Sequence, residues 1–320
     1  KGCSTMKAAI VTEAGQKTPV YGDFATPEPT AGELRVHVTA AALSPVVKGR
    51  ASGAHYSASG QFPFIAGIDG VGRLDDGRRV FFFGARPPYG SMAEQAVVAE
   101  TQCAALPDDL DDITAAAIAN PGMSSWGACT LRAGLKPGET VLVNGATGAA
   151  GRLAVQIARH LGAGTVIATG RNAEVLQSLD ADETIMLTQD EPTLDSRFET
   201  VFARGVNVVL DYLWGRTAER LLMAGARAGA EGVPIRFVQI GSISGADITL
   251  PSAVLRASAI TLLGSGLGSI PLTQLAPCIS DLMHAAGGAG FTVASQAIPL
   301  SQLEQVWNAP ENGRRTVFTL

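Results

Sequence analysis

The residues with the clearest chemical potential are the glycines within ETVLVNGATGAAGRLAVQIARHLGA, residues 139 to 163. An apolar, β-branched run ends at Asn144 and is followed by Gly145, Ala146, Thr147, Gly148, Ala149, Ala150 and Gly151, after which an amphipathic segment begins at once. A strand-to-helix turn of this composition lets backbone N–H groups and the positive end of a helix meet a pyrophosphate, while a glycine at 151 permits close packing of helix on strand. The GxGxxG spacing is met at Ala146, Gly148 and Gly151, with alanine in the first place. Such a spacing by itself also describes a tight turn that binds nothing. With a strand before it, a helix after it and further strand–helix units downstream, it reads as a dinucleotide site.

The end of the next strand says which dinucleotide. An NAD site places an Asp or Glu about 20 residues past the glycines to hold the ribose 2′-hydroxyl. Here the strand ends in Thr169, Gly170, Arg171 and Asn172, with Arg171 at that distance from Gly151 and no carboxylate beside it. A guanidinium makes charge-assisted bonds to a 2′-phosphate, whereas an acid repels it. NADPH is favoured over NADH.

The elements that must position this turn follow from the apolar pattern. TVLVN, GTVIAT, ETIML, VNVVLD, IRFVQIG and AITLLGS recur at intervals filled mostly by amphipathic segments such as RLAVQIARHLGA and TAERLLMAGARAGA. Continuous apolar strands separated by helices imply a parallel sheet covered on both faces, and six of them make the two halves of a doubly wound α/β domain. Before it, from Lys7 to about Glu100, short β-branched runs such as LRVHVTAAAL and GRRVFFFG are cut by Gly and Pro clusters, which predicts an irregular β region. Residues 108 to 133 turn helical. After Ser265 come a helix in LAPCISDLMHAA and a last strand, RRTVFTL, expected to pack back on the N-terminal region. Met6 reads as the start of the first strand, with Lys1 to Thr5 as a frayed end.

Composition bounds the rest. The 320 residues carry 24 basic and 29 acidic side chains, a formal net charge of -5, without a run of five like charges, so neither nucleic acid nor an anionic membrane is the expected partner. No apolar run reaches the ~18 residues of a membrane span, and the first residues show no secretory pattern, which points to the cytoplasm. The four cysteines, Cys3, Cys103, Cys129 and Cys278, are far apart and indicate neither a disulfide framework nor a compact zinc site. Glycine is the outlier, 37 residues against a usual ~7%.

The chain resembles the zinc-independent quinone oxidoreductase branch of the medium-chain dehydrogenase/reductase superfamily. The likeness runs from Met6 almost to the end. It rests on MKAAIV, FPFIAGIDGVG at 62 to 72, YGSMAEQAVV at 89 to 98, PGMSSWGACTLRAGLKPGETVLVNGATGAAG at 121 to 151, VVLDYLWG at 208 to 215, FVQIGSISG at 237 to 245 and LLGSGLG at 262 to 268, in that order. The resemblance implies a GroES-like, β-rich catalytic domain over residues 6–120 and 266–320, a Rossmann domain over 121–265, and a site in the cleft between them. It implies cofactor contacts at Ser124, Gly145, Thr147, Gly148, Ala149, Ala150, Gly170, Arg171, Asn172, Gly241 and Ser242. Zinc-dependent relatives carry a catalytic Cys near Ser44 and a GHE motif where this chain has Gly67, Ile68 and Asp69. Ser44 and Ile68 supply neither the N nor the S ligand that zinc takes, so no metal is expected. His37, His55, His160 and His284 read as packing or surface residues.

The implied reaction is hydride transfer from NADPH to a quinone or another conjugated carbonyl (enone) substrate. Its product is a stabilised anion, which needs neither metal nor strong base. The segment SPVVKGRASGAHY departs from the family pattern NPVD, a basic residue and SG: Ser44 stands for Asn, Val47 for Asp and Ala51 for Arg. Read as a loop from 44 to 56, it offers Arg50 and Tyr56 as catalytic candidates and Ser44 and Lys48 as substrate contacts. Two alternatives stand beside this reading: a 2-enoyl thioester or alkenal reductase, and a catalytically silent NADPH-binding sensor or structural protein. An apolar sixth strand at a sheet edge, residues 259–265, suggests a homodimer.

Overall fold

A computed structural model of the chain describes residues 2–52 and 61–320. The fold divides into two compact units, residues 1–120 with 275–320 and residues 121–274.

The first unit opens with strands β1 (Thr5–Val11), β2 (Val20–Ala25) and β3 (Glu33–Ala42), helix α1 (Pro45–Ala51), and strands β4 (Phe64–Ile65), β5 (Asp69–Leu74), β6 (Arg79–Phe83), β7 (Gln95–Ala99) and β8 (Cys103–Ala105). In β3 the period of two is plain: Val36, Val38 and Ala40 are buried while His37 and Thr39 between them are not. This strand pairs antiparallel with β5, through a register shift between Val38 and Ala40, and with β7. Strands β2, β1 and β4 form a separate sheet.

Two local expectations are corrected here. The segment before Met6 is paired rather than frayed as far as Ser4, whose carbonyl accepts the Thr26 N–H at 2.9 Å, and β1 begins at Thr5. The segment read as a loop from Ser44 is helical over Pro45–Ala51. Its reason is in the residues: the Ser44 hydroxyl accepts the Val47 N–H at 3.2 Å, proline follows the cap, and Val47 and Ala51 are buried.

Helix α2 (Asp112–Gly127) leads to the second unit. There β9 (Thr140–Asn144), α3 (Ala149–His160), β10 (Thr165–Gly170), α4 (Ala173–Ser178), β11 (Glu183–Met186), α5 (Glu191–Arg204), β12 (Val208–Asp211), α6 (Gly215–Ala228), β13 (Ile235–Gln239), α7 (Ser252–Arg256) and β14 (Ile260–Gly264) follow one another. The six strands form one sheet in the order β11-β10-β9-β12-β13-β14, every pair parallel. The order reverses between β9 and β12, which makes the ends of those strands the switch point of a Rossmann fold. Val141, Leu142 and Val143 of β9 are fully buried, as a strand covered on both faces requires. One face packs Phe198, Phe202, Leu221 and Leu222 of α5 and α6. Each such side chain, fully buried, contributes roughly 1.5–3 kcal/mol relative to exposure.

Helix α8 (Leu272–Ala289), β15 (Ser295–Pro299), α9 (Leu303–Val306) and β16 (Arg315–Thr319) close the chain. Strand β16 pairs antiparallel with β3, so the C-terminal segment, too short for a domain of its own, completes the N-terminal sheet. Among the described residues no helix is long and apolar enough to cross a membrane.

Candidate active site

Three glycines of the turn between β9 and α3 serve three different purposes. Gly145 has φ +89, the left-handed region that favours glycine, so the chain reverses there and not at Ala146 of the nominal GxGxxG spacing. Gly151 lies so close to the turn that a Cβ on it would sit 2.1 Å from the Gly145 carbonyl oxygen and 2.7 Å from the Ala146 Cα. Gly148 is the opposite case: it caps α3 with φ -80 and ψ 171, and among the described residues a Cβ there would meet nothing within 4 Å. Among the described residues no side chain caps α3 and no acidic residue stands in its first turn, so its first N–H groups have no side-chain acceptor. That combination of uncapped donors, a helix N-terminus and a glycine-floored opening fits the pyrophosphate of a dinucleotide.

Beneath the turn lies a buried hydrogen-bond network. The Thr169 hydroxyl donates to Asn144 Oδ1 at 2.7 Å and accepts the Gly145 N–H at 3.1 Å, tying the turn to β10. Asn144 Nδ2 donates to Asp211 Oδ1 at 2.9 Å, and the same carboxylate accepts the N–H groups of Leu213 and Trp214 at 3.0 and 3.1 Å. Burial pushes the Asp211 carboxyl above the usual carboxylate range, and those hydrogen bonds pull the other way. Held by them, Trp214 has φ 56 and ψ -151, a conformation close to glycine-only. Next to it the Tyr212 hydroxyl and the Ser125 hydroxyl are 2.5 Å apart in a buried pair. Burial drives the Tyr212 phenol strongly upward, against the pull of Ser125.

The cofactor positions inferred from sequence are placed as follows. Gly170 ends β10, and a Cβ on it would lie 2.4 Å from the Thr147 methyl. Arg171 comes next and is exposed. Asn172 uses its side-chain oxygen to cap α4 through the Val175 N–H at 3.1 Å. Ala149 and Ala150 open α3. At Gly241 a Cβ would sit 2.7 Å from the Tyr212 carbonyl, and Ser242 borders a wide depression with Trp214, Gln239 and Leu262. The Ser124 hydroxyl donates back to the Pro121 carbonyl at 3.0 Å, within its own helix. Its neighbour Ser125 makes the buried contact with Tyr212, and neither of that pair was singled out; 87 residues separate them.

In the first unit, Arg50 on the last turn of α1 lines a pocket of about 130 Å³ with Phe64, Ile68, Pro88 and Tyr89. Ser44 and Lys48 do not line it: the Ser44 hydroxyl is buried as the helix cap, and Lys48 is half-buried one turn along. Tyr56 and His55 lie outside the described residues. Gly67 beside the pocket has φ +103 and no room for a Cβ, which would meet the Ser91 hydroxyl at 2.2 Å. Asp69 is buried with Oδ2 unpartnered among the described residues. Burial pushes its carboxyl up to about 7, against the pull of the Arg315 guanidinium. Among the described residues no group of three or more His, Cys, Asp or Glu side chains could hold a metal ion.

A family model described as zinc-binding dehydrogenase matches residues 149–284. The chain is 30% identical over 358 residues to the probable NADPH-dependent quinone reductase tdiC of Emericella nidulans, covering 98% of this chain and 99% of that one. It is 29% identical over 327 residues to the quinone oxidoreductase of Lama guanicoe, with 91% and 98% covered. Among solved structures, the quinone oxidoreductase of Thermus thermophilus, determined also in complex with NADPH, superposes with a TM-score of 0.78 at 26% identity, over 98% of this chain and all of that one.

Proposed function

The chain belongs to the quinone oxidoreductase branch of the medium-chain dehydrogenase/reductase superfamily, and from that premise we propose that it reduces a quinone or another conjugated carbonyl compound at the expense of NADPH. The observation that carries the cofactor half is the turn from Gly145 to Gly151, with open space over Gly148 and Arg171, not an acid, at the end of the neighbouring strand. NADPH supplies a hydride when bound. The N–H groups at the start of α3 would hold its pyrophosphate, Arg171 its 2′-phosphate, and Thr147, Ala149, Ala150, Gly170, Asn172, Ser124, Gly241 and Ser242 would line its path.

The acceptor half rests on the pocket beside α1. Its apolar walls suit a flat conjugated ring, and Arg50 at its edge supplies a positive field for the oxygen that becomes anionic, a hydroquinone mono-anion or an enolate. Tyr56 is the proposed proton donor to that anion; water serves if it is not. Lys48 and Ser44 are weaker candidates, since one lies off the pocket and the other is spent as a helix cap. No metal enters the reading, because positions 44 and 68, donors in the zinc-dependent relatives, hold a capping hydroxyl and an isoleucine. Strand β14 at the end of the sheet, with Leu262 exposed, supports a homodimer joined edge to edge. Four free cysteines accord with a cytoplasmic setting.

The test is a panel of quinones, enones, alkenals and enoyl thioesters, each offered with NADPH and with NADH. Oxidation of NADPH by a quinone or enone is expected. Turnover confined to thioesters or alkenals would shift the substrate class, and binding of NADPH with no oxidation by any acceptor would leave a silent cofactor-binding protein. Tyr56→Phe with unchanged kcat on a soluble quinone removes Tyr56 from the mechanism.

A further inference from the structure

The sequence assigns one cation, Arg171, to the 2′-phosphate of the cofactor; the structure links a second one to that strand end through Thr147. Arg152 follows Gly151 on α3, where an arginine has every freedom to extend into solvent. Instead its Nε donates to the Thr147 carbonyl oxygen at 3.0 Å, so the guanidinium folds back across the start of the helix onto the glycine turn. Thr147 in turn leans on the end of β10: its methyl is the atom that a Cβ on Gly170 would strike at 2.4 Å. One unbroken run of contacts therefore links the Arg152 guanidinium, Thr147, Gly170 and Arg171.

Electrostatics sharpen the point. Most arginines of the second unit are spent on carboxylates: Arg159 on Asp182, Arg197 and Arg204 on Glu183, Arg216 and Arg220 on Glu191, Arg236 on Glu139. Among the described residues neither Arg152 nor Arg171 is in an ion pair, and the terminal nitrogens of Arg152 make no hydrogen bond. Glu174, in the first turn of α4, is paired with neither of them. A positive side chain near a helix N-terminus opposes the helix dipole, and a second arginine close by adds repulsion. Two guanidinium groups without a carboxylate partner, joined through Thr147 and Gly170, gain a charge-assisted partner when a phosphate dianion lies between them.

We propose that Arg152 is a specificity-determining residue for the cofactor, gripping the 2′-phosphate together with Arg171 through its terminal nitrogens while Nε anchors it to Thr147. The assignment rests on the NADPH reading above and goes beyond it by naming a second grip. Its measure is binding rather than turnover: calorimetric titration of NADPH, NADH and adenosine 2′,5′-bisphosphate into the wild-type protein, Arg152→Met, Arg171→Met and the double variant. Arg152→Met should weaken NADPH and the bisphosphate about 10-fold or more, in line with loss of one charge-assisted contact, and leave NADH within about 2-fold. The double variant should lose less than the two single losses combined, because both groups hold one phosphate. Equal loss of NADPH and NADH would overturn the proposal in favour of a tether for the turn, and so would no loss of either. Failure of the wild-type protein to bind NADPH would strike the cofactor reading itself, a distinct result. Should Arg152→Met melt early, Arg152→Lys, which keeps the charge without the planar fork, is expected to lose part of the NADPH affinity and none of the NADH affinity.

Discussion

Two neighbouring glycines of the cofactor turn make opposite predictions when each receives one methyl group. In Gly151→Ala the new Cβ would stand 2.1 Å from the Gly145 carbonyl oxygen and 2.7 Å from the Ala146 Cα, both backbone atoms held by the turn. Real Cβ contacts stay beyond 3.0 Å, so the start of α3 must move away from the turn by nearly an ångström. Overpacking of this kind costs about 1–3 kcal/mol, and with unyielding backbone on the other side the upper end applies. At about 2–4 °C per kcal/mol for a unit of this size, Tm should fall by roughly 6–12 °C. In Gly148→Ala the methyl meets none of the described residues within 4 Å and the backbone, at φ -80, accepts alanine without strain, so Tm should stay within about 2 °C. The same methyl enters the space through which a pyrophosphate must approach the first N–H groups of α3. NADPH affinity should therefore drop about 10-fold or more in a protein that melts like the wild type. Thermal melting and calorimetric titration on the same preparations separate the two effects. A Gly148→Ala protein that binds NADPH as well as the wild type would refute the assignment of that opening to the pyrophosphate. A Gly151→Ala protein with unchanged Tm would refute the packing argument.

Four further predictions follow from other parts of the structure. Arg171→Glu should reverse the cofactor preference toward NADH, read as the ratio of dissociation constants, because an acid repels a 2′-phosphate and accepts a 2′-hydroxyl; a strong NADH preference in the wild-type protein would already defeat the reasoning. Asp69 is buried, and its carboxyl is pushed up to about 7, above its unfolded value near 4, so the folded state keeps a proton that the unfolded chain releases between those limits. Stability present below about pH 4 is thus lost as pH rises toward 7, by up to about 1.4 kcal/mol per pH unit, and Asp69→Asn should flatten that part of the urea-unfolding profile. At Trp214, whose φ of 56 costs an L-residue about 1–3 kcal/mol, glycine relieves strain that phenylalanine keeps, so Trp214→Gly should melt no lower than Trp214→Phe although it removes more apolar surface. Leu262→Lys on the outer strand should yield a monomer in sedimentation equilibrium without lowering NADPH affinity; a wild-type monomer, or a variant that stays dimeric, rules out this edge as the interface.

Much of the fold was legible because its signals are local. Each strand of the second unit is a continuous apolar run, since a strand covered on both faces has no polar side to show. The cofactor turn was visible because its glycines fall between a strand and a helix, with further strand–helix units downstream. The helical segment after Ser44 is legible too, in the serine cap and proline that open it, although the family pattern it resembles describes a loop. Resemblance aligns Ser124 with a cofactor contact; the fold adds that its hydroxyl donates to the Pro121 carbonyl and that the neighbouring Ser125 meets Tyr212, a pairing no local pattern shows.

The amino-acid sequence by itself determined the element order, the parallel sheet, the place of the glycine turn and the charge at the end of the second strand, all of which are written within a few residues of where they act. Tertiary structure alone decided which distant groups meet. It set Asn144, Thr169 and Asp211 into one network, forced Trp214 into a glycine-like conformation, enclosed Asp69 near Arg315 across 246 positions and turned Arg152 back onto Thr147 of the glycine turn. The physical reason is that periodicity records only which face of an element is buried. Which neighbour covers that face, and therefore which polar groups lose water together, is settled only when the elements pack.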